Sequence, residues 1–180
     1  MSANFDFSPY KLIDYSKDRE EATIEFVRRG YASVGYMNLE PETIDNDLLH
    51  IEDLYKAPSF FKLLINESET DIDAKAKIIG SIALKVNKAN PELGHSTDYA
   101  ELKRVFIDDS LQGKGLGKKL SEFAFDYAKE NGIKVIDIWS GTLCEVAHKL
   151  YQKLGAKNMG EMRFLGGIDQ VYEKYFQIRF

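Results

Sequence analysis

Ala100-Glu101-Leu102-Lys103-Arg104-Val105-Phe106-Ile107-Asp108, followed after three further residues by Gln112-Gly113-Lys114-Gly115-Leu116-Gly117, is the stretch that decides the fold. Tyr99 to Ile107 predicts a strand. Leu116, Leu120, Phe123, Tyr127 and Ala128 then keep helical spacing as far as Asn131-Gly132, a stop signal. The glycines therefore occupy a strand-to-helix turn. Glycine lets backbone approach an anion closely, and the first amides of a helix lack partners within it. Such a turn suits a pyrophosphate, with Lys114, Lys118 and Lys119 adding positive charge. It also suits a plain glycine-rich turn followed by a solvated lysine face. Two nucleotide loops fit poorly. A P-loop needs Gly-Lys followed by Ser or Thr, but Gly113-Lys114 is followed by Gly115. A dinucleotide fingerprint needs G-x-G-x-x-G, but the glycines stand at 113, 115 and 117.

Outward from this stretch, the pattern alternates between strands and helices. Tyr10 to Tyr15 predicts a short strand. Asp18 is placed to cap a helix, with Glu21 in a capping-box position; Ala22, Phe26, Val27 and Tyr31 give that helix one apolar face before Gly35. Ile44, Leu48, Ile51 and Tyr55 predict a second helix between Pro41 and Pro58. Strands are expected over Phe60–Ile65 and Ile78–Val86, with Gly80 at a bulge. Asn66–Lys77 and Asn87–Asp98 read as loops. Lys134–Trp139 is a short apolar strand, and Cys144 to Leu154 carries a helical face ended by Gly155. Ala156–Leu165 and Val171–Ile178 close the chain as strands around Gly166-Gly167. This order predicts an α/β domain with a mixed, mostly antiparallel central sheet flanked by helices.

Composition narrows the function classes. With 180 residues, the chain is expected to form one domain. Its hydrophobic fraction of 44% and charged fraction of 29% are those of an ordinary globular protein. Lys and Arg number 24 against 29 Asp and Glu, a net charge of -5, which argues against nucleic-acid binding through a broad basic surface. One cysteine excludes an intrachain disulfide and a polythiolate zinc site. No secretory signal is visible in Met1–Lys11, and no run of about 20 apolar residues spans a membrane. The expectation is a cytoplasmic protein with no membrane partner. His50, His95 and His148 lack metal-ligand spacing, so no metal is expected; His148 reads as a surface residue.

A second motif joins the first. Ala147-His148-Lys149-Leu150-Tyr151-Gln152-Lys153-Leu154-Gly155-Ala156 is a helix carrying a tyrosine before a Leu-Gly ending. Together, the strand, the Gln112–Gly117 loop and this helix resemble the GNAT superfamily of N-acetyltransferases. The order of elements matches that family over nearly the whole chain. Ala156 stands where the family has an aromatic, and Cys144 stands where it often has an Asn touching the cofactor.

The resemblance implies a GNAT-like fold, a single acyl-CoA N-acyltransferase domain over residues 1–180, and acetyl-CoA as cosubstrate. It places Val105, Phe106 and Ile107 against the pantetheine arm. The amides of Gln112, Gly113, Lys114, Gly115, Leu116, Gly117 and Lys118 fall on the pyrophosphate, and Cys144 takes the position of the Asn that touches the cofactor. Tyr151 takes the position of the proton donor to the leaving thiolate, although an amphipathic helix also buries tyrosines as core. Glu101 takes the position of a general base, acting directly or through water, or else is a strand-end residue paired with Lys103 or Arg104. Asp137 is a weaker candidate base. The acceptor expected is a small primary amine, walled by Tyr31, Tyr36, Met37, Glu40, Phe164 and Tyr172. A catalytically silent acyl-CoA-binding module and a protein N-terminal or lysine acetyltransferase are the alternatives. Family members are often dimers, so a homodimer through the C-terminal strands is a further expectation.

Overall fold

Strand-forming runs with apolar residues on both faces build the centre of the sheet. In the computed structural model, which describes residues 5–72 and 75–180, seven strands lie in the order β1-β2-β3-β4-β5-β7-β6. They are β1 (Lys11–Asp14), β2 (Phe60–Thr70), β3 (Ala76–Asn87), β4 (Tyr99–Ile107), β5 (Val135–Gly141), β6 (Lys157–Gly166) and β7 (Val171–Arg179). Every pairing is antiparallel except β4 with β5. A helix over Leu116–Glu130 makes the crossover that a parallel pair requires. The expected α/β class and mostly antiparallel sheet are therefore present.

Two apolar layers sandwich the sheet. The helices are α1 (Glu20–Ser33), α2 (Ile51–Leu54), α3 (Leu116–Glu130) and α4 (Glu145–Lys153). On one face α3 and α4 bury Leu120, Ala124 and Tyr151 against Ile136, Ile138 and Phe176. On the other, α1 buries Phe26 and Val27 against Leu63, Ile78 and Ala83. Met1 to Asn4, the beginning of the stretch searched for a signal, lie outside the described residues. No helix among the described residues is long and apolar enough to cross a membrane.

Three local expectations are corrected. Asp18 does not cap α1. Its carboxylate takes the Lys75 ammonium, and the helix begins without a side-chain cap. The loop expected over 66–77 is shorter: β2 runs to Thr70 and β3 starts at Ala76, while residues 73 and 74 lie outside the described residues. Asn66 pairs with Lys77 and Thr70 with Ala76, while Lys77 Nζ reaches Glu69 at 2.9 Å. Those exposed strand ends are held by backbone ladders, so they carry no apolar alternation for a sequence reading to detect.

The second helix is broken into a 3-10 turn, Asn46–Leu49, and the single α turn of α2. The reason is electrostatic. Arg104 is buried, and its guanidinium donates to Asp45 Oδ1 at 2.8 Å, to Asp47 and to the Tyr31 hydroxyl at 2.6 Å. Residues two apart do not share a face of an α-helix, so a regular helix cannot aim both carboxylates at one guanidinium. Burial would raise the Asp47 carboxyl, but the Arg104 charge outweighs it and holds Asp47 below its usual range.

Replacing Arg104 with Met strands two buried carboxylates. Breaking such a network costs about 3–5 kcal/mol. Urea unfolding of Arg104→Met is expected to show a loss of that order. Adding Asp45→Asn and Asp47→Asn to the same variant is expected to recover part of it.

Candidate active site

β4 and β5 are paired only at Ala100 with Ile136 and Glu101 with Asp137. Beyond that point they separate. Arg104 lies at φ +55°, and between Ser81–Phe106 and Ala83–Lys103 the β3–β4 register slips. An extra residue inserted in this way bends a strand. The Ser81 hydroxyl fixes the bend by donating to the Arg104 carbonyl at 2.8 Å.

The gap between the strands opens a cavity of about 740 Å³, including its mouth. Leu102 to Phe106 form one wall, and Trp139 to Gly141 form the facing wall. Tyr31 and Tyr36 close it on the α1 side, with Cys144, Ala147 and Tyr151 on the α4 side. Tyr36 is seated by the turn after β5: its hydroxyl accepts from the Leu143 amide at 3.3 Å. A Cβ on Gly141 would meet the Tyr36 ring at 2.7 Å, so only glycine lets the two approach.

Tyr151 is 5% exposed, and its hydroxyl has no hydrogen-bond partner among the described residues. Burial, reinforced by the neighbouring Cys144, pushes its phenol well above the usual range. It therefore remains a protonated donor. Burial also raises the Cys144 thiol, only partly offset by the Ser140 hydrogen bond. A thiol held neutral is a poor nucleophile.

At the far end of β4, Gly113 and Gly115 have φ of +76° and +81°, and a Cβ at either would meet nothing within 4 Å. No hydrogen bond among the described residues takes up the amides of residues 113–118. A Cβ on Gly117 would lie 3.7 Å from Leu150 and 3.8 Å from Ile107, so the loop stands beside the helix that carries Tyr151. These unpaired amides fit a diphosphate. Of the three lysines, Lys119 is diverted to the Asp6 carbonyl and Lys118 to Glu122, leaving Lys114 exposed at the turn.

The structure brings together Tyr151, Val105, Phe106 and Cys144 around one cavity. Glu101 lies at the vertex of the gap, beside the wall rather than in it, and is not paired with Lys103 or Arg104. Of the residues expected in an acceptor wall, Tyr31 and Tyr36 line the cavity. Met37, Phe164 and Tyr172 are exposed and outside the cavity, and Glu40 accepts from the Ile168 amide. Trp139, Asp45 and Glu173 also line the cavity. Strand alternation could place Trp139, but nothing local links Asp45 to a residue 59 positions away. His148 is a further correction: it is buried beside Phe176, and burial lowers its pKa. Among the described residues no group of side chains could hold a metal ion.

Residues 62–156, more than half of the chain, match the acetyltransferase (GNAT) family. The chain belongs to this family. An uncharacterized N-acetyltransferase of Methanocaldococcus jannaschii is 29% identical over 53% of this chain and 43% of its own length. An N-acetylaspartate synthetase of Xenopus tropicalis is 27% identical over 59% and 38% respectively. The chain thus spans about two fifths of the length of these relatives. Solved GNAT structures share the fold. An acetyltransferase from Staphylococcus aureus superposes with a TM-score of 0.72 at 21% identity, covering 94% of this chain and 98% of that one. One from Salmonella typhimurium, solved with acetyl-CoA, gives 0.66 at 17%, covering 96% and 94%.

Cys144 is the sole cysteine, so its chemistry can be read directly. Its reaction with a thiol reagent at pH 7.5 is expected to be at least about tenfold slower than that of free cysteine and to accelerate as pH rises, because the thiolate is the reacting form. Stopped-flow absorbance measures it.

Proposed function

We propose that this GNAT domain, taken as one unit over residues 1–180, transfers an acetyl group from acetyl-CoA to a primary amine of a small molecule. One observation carries the reading: β4 and β5 part directly after Glu101 and Asp137, over a cavity closed by Tyr151. Bound acetyl-CoA would supply an activated acetyl thioester. The amides of residues 113–118 would hold its diphosphate, and the open edge of β4 at Val105, Phe106 and Ile107 would take the amide groups of its pantetheine arm. Cys144 would sit beside the arm's sulfur end.

The amine enters from the α1 side, between Tyr31, Tyr36 and Trp139. Glu101 takes a proton from the ammonium through water, since the carboxylate stands at the vertex and outside the cavity wall. The free amine attacks the acetyl carbonyl directly. Tyr151 Oη donates to the departing sulfur, and its raised pKa keeps that proton available. Aromatic closure of the cavity favours a small acceptor over a polypeptide. Relatives named N-acetylaspartate synthetase support an acceptor of amino-acid size. A cytoplasmic location and a homodimer through edge strand β6, which leaves Met162 63% exposed, belong to the same proposal.

Release of free CoA from acetyl-CoA, followed across a panel of amines, tests this function. Amine-dependent turnover is expected; CoA binding with no turnover on any amine would favour the silent binding module instead. Tyr151→Phe should lower kcat about 100-fold while leaving CoA affinity close to wild type. Because the phenol is raised above its usual value near 10, no fall in kcat belonging to Tyr151 should appear below about pH 10. An unchanged kcat in Tyr151→Phe would remove the tyrosine from its assigned role.

A further inference from the structure

A polar row crosses the sheet at the vertex of the gap. Lys85 of β3 stands opposite Glu101 of β4, Glu101 opposite Asp137 of β5, and Asp137 opposite Gln177 of β7. Residues directly opposite one another share a face, so these side chains lie side by side, with strands about 4.8 Å apart. Asp137 is 4% exposed. Its Oδ1 accepts from the Tyr175 hydroxyl at 2.7 Å and from Gln177 Nε2 at 3.0 Å. Its Oδ2 meets His95 Nε2 at 2.7 Å.

His95 reaches Asp137 from the β3–β4 connection. That loop is closed by Pro91–Leu93 and a bridge from Asn90 to His95. The imidazole is 5% exposed and lies on the Tyr99 ring, centroid to centroid 3.7 Å, at an interplanar angle of 7°. Its second nitrogen, Nδ1, has no hydrogen-bond partner among the described residues, and it is not among the fully buried orphan atoms. The ring therefore stands between a buried carboxylate and the outside. Charged or titratable groups around the pair are Glu101 and Tyr99 on β4, Tyr175 on β7 and Glu161 on β6, with Lys85 beyond Glu101 and Arg179 of β7 donating to Gln177 Oε1 at 2.7 Å.

The chemistry of the proposed transfer creates a need for such a path. Acetylation of an ammonium forms an N–C bond and breaks a C–S bond. The nitrogen gives up two protons and the sulfur keeps one. One proton per turnover must leave the site. We propose that Asp137 and His95 conduct it: the proton taken up by Glu101 passes to Asp137, which gives it to Nε2 as the Nδ1 proton leaves to water, and a turn of the ring about its Cβ–Cγ bond restores the starting tautomer before the next turnover. This deepens the acetyltransferase reading and rests on Glu101 as the base. His95 touches no reacting atom, so it is a positioning and relay residue. The Tyr99 stack and the Tyr175 and Gln177 bonds hold the pair in line.

The test uses the full chain with acetyl-CoA and an amine that it acetylates. His95→Gln and His95→Gly are compared with wild type in melting temperature, CoA affinity and the pH profile of kcat. We expect folding and CoA affinity to persist and kcat near neutrality to fall about tenfold or more. Added imidazole should restore His95→Gly in a concentration-dependent way and leave wild type unchanged. Wild-type kcat in both variants, or a loss that imidazole does not restore, overturns the relay. Should the His95 variants fail to fold, Asp137→Asn keeps an acceptor for Tyr175 and Gln177; its unaltered pH profile would equally overturn the relay. Glu101→Gln separates the two readings. Full activity in Glu101→Gln removes the base and, with it, the path that begins there. Loss in Glu101→Gln, with His95→Gly unaffected, keeps the base and removes the exit.

Discussion

The parting of β4 from β5 is the constraint on which the rest depends. Adjacent strands ordinarily stay paired because unpaired backbone groups inside a protein are costly. Here the pairing ends after Glu101 and Asp137, and the stretch of β4 from Leu102 to Phe106 lines an open cleft instead. Two features maintain that state. The left-handed residue Arg104 bends the strand, and its guanidinium is anchored by Asp45, Asp47 and Tyr31. The bend and the anchor belong to one residue, so the shape of the cleft is tied to a buried ion network. That network in turn breaks the second helix and sets the segment, Ile44 and Asp45, that lines the cleft beside Tyr31.

Much of the fold is legible in local pattern. The strand from Tyr99 to Ile107, the glycine turn and the helix ending at Asn131-Gly132 fall where periodicity and stop signals place them. The helical position of Tyr151 is legible in the apolar spacing and points to burial, while its place in a cavity is legible only through the family resemblance. What is not legible depends on contacts distant in sequence. Asp45 and Asp47 look like helix-surface acids until Arg104 claims them. His95 looks like a loop residue until Asp137, 42 positions on, receives it. His148 looks exposed on a polar helix, yet it faces Phe176. Phe164 and Tyr172 show the reverse error. Aromatic composition suggests a pocket wall, while the two rings pack on each other at the surface, 4.7 Å apart.

The two faces of the cleft use different recognition chemistry. On the α3 and α4 side, groups that suit a long polyanionic ligand are backbone amides, which tolerate wide changes in side chains. On the α1 side, Tyr31, Tyr36, Trp139 and the Arg104 network present side chains alone. A fold organised in this way can keep one cosubstrate and vary its acceptor.

The polar row at the vertex is costly to bury and unnecessary for the sheet itself. Apolar side chains at positions 137, 175 and 177 would bury this face as Ile136, Ile138 and Phe176 bury the opposite one. Buried polar groups that are fully bonded impose one geometry on their surroundings. The row is bonded at Asp137 on both oxygens, and it meets the cleft where the last β4–β5 pair ends. Its position, more than its stability, is what it contributes. At the vertex, one member of the carboxylate pair stands beside the open cleft and the other meets His95.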